Sequence, residues 1–192
     1  MTGSAAASDG ELAQAAAKGD EHAFAQLVSR HKQPLYRLLR RHTGSSDEAY
    51  EAIQEAFIAA WRALKHYDPQ RPFNLWLRTI ALNKARDRGR RRYVRRIVFG
   101  SGSLDSDEAR NAPDPSRGPE ASASTQEETA RLEIAISQLP NTLKEPLLLV
   151  ALDGLTQSEA AATLGVSVKT LEMRLYRARL KLAQSVQRDL TS

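Results

Sequence analysis

The stretch Phe73 to Arg96, FNLWLRTIALNKARDRGRRRYVRR, constrains this chain most. Phe73, Trp76, Leu77, Ile80 and Ala81 recur at intervals of three and four, so a helix built on them carries one apolar stripe and is anchored in a core. The same helix then turns cationic. Arg78, Lys84, Arg86, Arg88, Arg90, Arg91, Arg92, Arg95 and Arg96 are set against a single acid, Asp87. Solvated faces normally mix signs. A rigid helix whose far end is almost uniformly positive is suited to a polyanion, and nucleic acid is the obvious one.

The rest of the composition removes alternatives. A length of 192 residues leaves room for one domain or two small ones, and the formal net charge is +5. With no cysteine there are no disulfides, thiolate zinc sites or cysteine nucleophiles. His22, His31, His42 and His66 never fall three or four apart, so neither a metal site nor any other cofactor is expected. No phosphate-binding glycine loop, nucleophile elbow or paired-acid constellation is present, which argues against an enzyme. Leu147–Leu152 is too short to cross a bilayer, and Met1–Asp20 lacks the layout of a signal peptide. A cytoplasmic protein without membrane insertion is the expectation.

Taken in order, the chain reads as helices. Asp9 is expected to cap a short helix ending at Gly19, and Asp20 to cap a second that carries Phe24, Leu27, Val28, Leu35, Leu38 and Leu39 inward. Pro34 should kink that second helix. Ser46 is the expected cap of a third, from about Asp47 to Leu64. Its inward face is Ile53, Ala56, Phe57, Ala60, Trp61 and Leu64, and its other face is acidic. Trp61 and Trp76 read as core aromatics. His66–Pro72, with two prolines, is a polar loop feeding the basic helix.

Gly100–Gln126 is rich in Ser, Gly, Ala, Pro and Asp and has almost nothing to bury, so it reads as a flexible linker. The fold class is therefore all-α: two small helical bundles, 10–97 and 127–190, joined by a linker over 98–126. In the second bundle Pro140 ends one helix, and Pro146 is expected near the first turn of the next, Leu143–Leu152. Thr156–Glu159 forms a capping box. Ala161, Gly165 and Leu171 then supply the small residue, tight turn and apolar lock of a helix-turn-helix. Its second helix runs from Val168 to about Gln187, with Leu171, Leu175, Ala178 and Leu182 inward.

This order of features resembles the bacterial sigma-70 family, specifically its two-domain extracytoplasmic-function (ECF) group. The motifs that carry the resemblance are GDEHAFAQLVSRH, IQEAFIAAW, FNLWLRTIALNKARD with its arginine tail, and LP followed by DGLTQSEAAATLGVSVKTLEMRLYRARLKL. Members of that family bind core RNA polymerase and direct it to promoters. The resemblance implies docking on the clamp helices of the largest catalytic subunit through Asp47, Glu48, Glu51, Gln54 and Glu55, and a contact of the second bundle with the flap region. The family commonly has Asp where this chain has Glu51. For promoter DNA it implies recognition of the single-stranded −10 element through Asp68, Gln70, Arg71, Phe73, Asn83, Arg86, Asp87, Arg90 and Arg91, with Arg86, Arg88, Arg90, Arg91 and Arg92 following phosphates. For the duplex −35 element it implies Ser167, Lys169, Thr170, Glu172, Met173, Arg174, Arg177 and Arg179. The family often has a basic or small residue where Glu172 and Met173 stand, so the −35 sequence does not transfer from relatives. A cognate anti-sigma factor, often membrane-bound in the family, is the further partner it implies.

Two rival readings are weaker. A sigma mimic that sequesters an anti-sigma protein has no use for the arginine tail, and known mimics carry an added receiver domain for which this chain has no room. A stand-alone helix-turn-helix regulator leaves the acidic helix and the linker unexplained.

Overall fold

The computed structural model describes residues 7–99 and 131–189, and among them there are helices and turns but no strand. Four helices form the first bundle: α1 (Asp9–Ala17), α2 (Glu21–Thr43), α3 (Ser46–Ala63) and α4 (Phe73–Phe99), with a 3-10 turn at Leu64–His66. The second bundle contains helical residues 131–137 (α5), then α6 (Asn141–Leu147), a π turn (Leu148–Leu152), α7 (Gln157–Leu164) and α8 (Val168–Asp189). The expected linker beyond Phe99, and the expected start of the second bundle at Glu127, lie outside the described residues. α4 itself continues to Phe99, past the boundary expected at 97.

The starts of α1, α2 and α3 follow side-chain caps, with two shifts of one residue from expectation. Ser8, not Asp9, caps α1: Glu11 N–H donates to Ser8 Oγ and Ser8 N–H donates to Glu11 Oε2, a complete capping box. Asp9 is thereby left to pair with Arg30 at 3.0 Å and His31 at 2.6 Å, which ties α1 to α2. Ser45, not Ser46, caps α3. Asp20 caps α2 as expected, and Gly44 ends it in the left-handed conformation with φ 76°.

Pro34 lies inside α2 without ending it. Its missing donor and ring clash cost about 3 kcal/mol in a helix interior. Leu27, Leu35, Leu38 and Leu39 flank it and are all buried. At about 1.5–3 kcal/mol for each fully buried aliphatic side chain, their packing outweighs the proline.

The start of α6 also differs from expectation, by two residues. Pro140 is the N-cap residue and α6 starts at Asn141, so Pro146 sits beyond the first turn, fully buried.

The two bundles do not stand apart. Their buried residues form one continuous cluster running from Leu12 through Leu82 to Leu149 and Leu171. α7 lies along α4, and the end of α2 meets α6 and the π turn. Trp61 and Trp76 are half-buried against this core, as the sequence suggested.

Candidate nucleic-acid and protein interfaces

The loop before α4 is held by its own side chains. Gln70 N–H donates to Asp68 Oδ1 at 2.9 Å, an Asx turn, and the Tyr67 hydroxyl donates to the Arg71 carbonyl. Asp68, Gln70 and Arg71 are exposed at its tip. Phe73 is not. It is 2% exposed and packs against His31, Tyr67 and Trp76, so it supports the loop from the core rather than offering surface to DNA. That corrects its grouping with the DNA-facing residues.

Along α4, Asn83 is exposed and its Oδ1 accepts from Arg86 Nη1 at 2.9 Å. Asp87 pairs with Arg90 one turn later, and Arg90 and Arg91 are exposed. Asn83, Asp87 and Arg90 fall at helical spacing on one side, a polar strip next to the loop tip.

Two arginines expected to follow phosphates face α3 instead. Arg88 pairs with both Glu51 and Glu55, and Arg92 pairs with Glu48. Three acids of the expected polymerase-docking face are therefore in contact with the arginine tail, while Asp47 and Gln54 are exposed. Arg86 is engaged elsewhere too. Its Nε donates to Glu145 Oε1 at 2.7 Å and its Nη2 pairs with the other carboxylate oxygen, across the two bundles.

Glu145 is the centre of a buried polar cluster. Its side chain is 4% exposed and also meets His42 Nε2 at 3.1 Å. Burial alone would push its carboxyl pKa up. The hydrogen bonds and positive charge of Arg86, together with the bond to His42, outweigh that and leave the pKa below the usual value. Neighbouring Lys144 donates to the carbonyls of Ser137 and His42, and its burial pulls its pKa down, partly opposed by the charge of Glu145. Arg78 pairs with Asp153, and Thr79 Oγ1 donates to the Thr163 carbonyl at 3.0 Å. Sequence reading missed Glu145, Asp153, His42 and the role of Arg78. One signal was available: Lys144 and Glu145 stand directly before the apolar run Pro146–Leu152.

The helix-turn-helix is assembled as its motif requires. Thr156 and Glu159 complete the capping box, and the side-chain and backbone bonds of Thr156 lower the Glu159 pKa. Gly165 turns the chain at φ 67°, and Ala161 and Leu171 are buried between α7 and α8. Ser167 caps α8, accepting from Thr170 N–H at 3.1 Å. Lys169, Glu172, Met173, Arg177 and Arg179 are exposed, while Thr170 and Arg174 are half-buried. Tyr176, which sequence reading passed over, is 64% exposed and lies one turn from Glu172 and Met173 on the same face.

Among the described residues there is no cluster of metal-ligating side chains, and no helix is long and apolar enough to cross a membrane.

Residues 27–95 match the family model for sigma-70 region 2, and residues 129–182 match that for sigma-70 region 4. The chain is 40% identical over 179 residues to the RNA polymerase sigma factor CnrH of Cupriavidus metallidurans, covering 93% of this chain and 94% of that one. It is 33% identical over 188 residues to the ECF RNA polymerase sigma-E factor of Escherichia coli K12, again covering 93% and 94%. A solved structure of CnrH in complex with the cytosolic domain of CnrY superposes with a TM-score of 0.68 at 34% identity, over 94% of this chain and 98% of that one. Two helical bundles in this order, the second carrying a helix-turn-helix, are thus matched nearly end to end, and the chain belongs to the ECF group of the sigma-70 family of RNA polymerase sigma factors.

Proposed function

We infer that this sigma factor recruits core RNA polymerase through the α3 face around Asp47, Glu51 and Gln54, and reads a promoter with both bundles. The loop tip at Asp68–Arg71 and the strip Asn83–Asp87–Arg90 take the single-stranded −10 element. Unstacking a base costs a few kcal/mol, which a preformed polar pocket and cationic contacts to the freed strand offset. Lys169, Glu172 and Met173 on α8 enter the major groove at the −35 element, where base edges are read, while Arg177 and Arg179 contact backbone.

The observation that carries this reading is the exposed N-terminal face of α8 on the same chain as the arginine-rich end of α4. An anti-sigma partner is part of the proposal, supported by the solved complex of CnrH with CnrY.

The test is run-off transcription from a genomic promoter library by purified core polymerase with and without the protein. Stimulation confined to a small promoter set is expected. No stimulation from any promoter overturns the reading.

A further inference from the structure

The arrangement of the two bundles is incompatible with reading both elements on one duplex. By their names the −35 and −10 elements lie about 25 base pairs apart, or ~85 Å at 3.4 Å per pair. In the structure Thr79 of α4 is hydrogen-bonded to the Thr163 carbonyl at the end of α7. Lys169 follows six residues later, at most ~22 Å away even for a fully extended chain. Asn83 is one helical turn along α4 from Thr79, ~6 Å. The two DNA-reading surfaces therefore lie within roughly 35 Å of each other, less than half the separation required. The bundles must part before both can bind, and whatever holds them together opposes initiation.

Beside the shared apolar core, specific polar bonds join them. Glu145 of the second bundle, almost fully buried, takes both Arg86 and His42 of the first. Asp153 takes Arg78, and Lys144 and Thr79 each donate to a carbonyl across the boundary. Arg86 is also the hydrogen-bond partner of Asn83, in the expected −10 surface, so the same guanidinium joins the closed contact to that surface.

We propose that Glu145 is a latch that holds this sigma factor closed and inactive by itself, without an inhibitory partner, through its paired contacts to Arg86 and His42, with Asp153–Arg78 as a second catch. The proposal rests on the promoter-reading function above. Opening the latch frees Arg86 for the −10 strand, and it lets α8 travel. The 31 residues of sequence between Phe99 and Arg131 reach up to ~100 Å when extended, enough for the required span. Glu145 acts as a latch because its carboxylate has left water for these two partners. Once its charge is removed, the Arg86 guanidinium, about a third exposed, loses its counter-charge, and the closed state is weakened.

The chain has no cysteine, so Cys introduced at exposed Ser29 and Ala183 carries a spin-label pair that reports the distance between bundles. Wild type should give one narrow, short distance. Glu145→Gln should raise the open population about tenfold, and Asp153→Asn should raise it less. In run-off transcription Glu145→Gln should lower the protein concentration for half-maximal activity by a similar factor. A long or broad distribution in wild type overturns the proposal. So do distances unchanged in both variants while circular dichroism reports intact helices, or opening that leaves the half-maximal concentration unchanged. If Glu145→Gln fails to fold, the wild-type distribution and Asp153→Asn decide between the same outcomes. If the variants open but no promoter responds to any form, the latch stands and the promoter-reading function falls.

Discussion

Arg88 of α4 donates to Glu55 of α3 at 2.6 Å, joining the arginine tail to the acidic face on which polymerase docking is proposed. The same guanidinium also pairs with Glu51. A cation of the DNA-facing helix thus fixes the azimuth of acids on its neighbour. Arg88 and Glu55 are each about a third exposed, so their pair is screened and contributes about 0.2–1 kcal/mol. Glu55→Gln should lower stability by that amount, and adding Arg88→Ala should cost less than the sum of the two single changes. Urea unfolding of the four proteins measures the coupling. Strict additivity would mean that the contact contributes nothing.

The depressed pKa of Glu145 makes closure dependent on pH. A carboxyl whose folded pKa lies below its unfolded value binds fewer protons when folded, so its stabilisation is fully present above the ordinary carboxylate pKa of 4.5 and is lost as the pH falls through the folded value. Lys144, whose pKa burial lowers, acts in a different range: the folded state gains as pH rises towards the ordinary lysine value of 10.5. Thermal unfolding of wild type should weaken below about pH 4.5 more steeply than that of Glu145→Gln. Parallel profiles for the two proteins would contradict the assignment.

The helices were legible in the sequence because their causes are local. Apolar spacing marks α3 and α4, and the capping box at Thr156 with Gly165 frames α7. Caps slipped by one residue at Ser8 and Ser45, where two adjacent residues could each serve and only the backbone geometry chooses. The interfaces were less legible, for a different reason. A single helix pattern says which face of α4 is cationic, but not that α3 turns its acids towards Arg88 and Arg92. Glu145 meets Arg86 across 59 residues and His42 across 103, so nothing within a local window relates them. What the sequence did carry was a pair of charges, Lys144 and Glu145, set directly before an apolar run.

Arg177 provides a test of the −35 surface. It is exposed on α8 beyond the reading residues, and a phosphate contact there adds to affinity through counterion release. Arg177→Ala should weaken holoenzyme binding to a responsive promoter and reduce the slope of log affinity against log salt by about 0.9. Fluorescence anisotropy across a salt series measures both. A weaker affinity with an unchanged slope would assign Arg177 to a base edge instead of phosphate.

The turn between α7 and α8 should be sensitive to backbone conformation alone. Gly165 sits at φ 67°, and a Cβ placed there would meet nothing within 4 Å. Any cost of Gly165→Ala is therefore the left-handed conformation itself, about 1–2 kcal/mol, with no steric part. Thr156→Ala should cost about 1 kcal/mol by removing the oxygen that accepts from Glu159 N–H at the other end of the same short helix. Because α7 lies against α4 as well as α8, both changes should also loosen the contact between bundles. Gly165→Asn separates the two effects, since asparagine tolerates the left-handed region better than alanine does. It should recover part of the loss in urea unfolding, and a loss equal to that of alanine would show that the conformational argument is wrong.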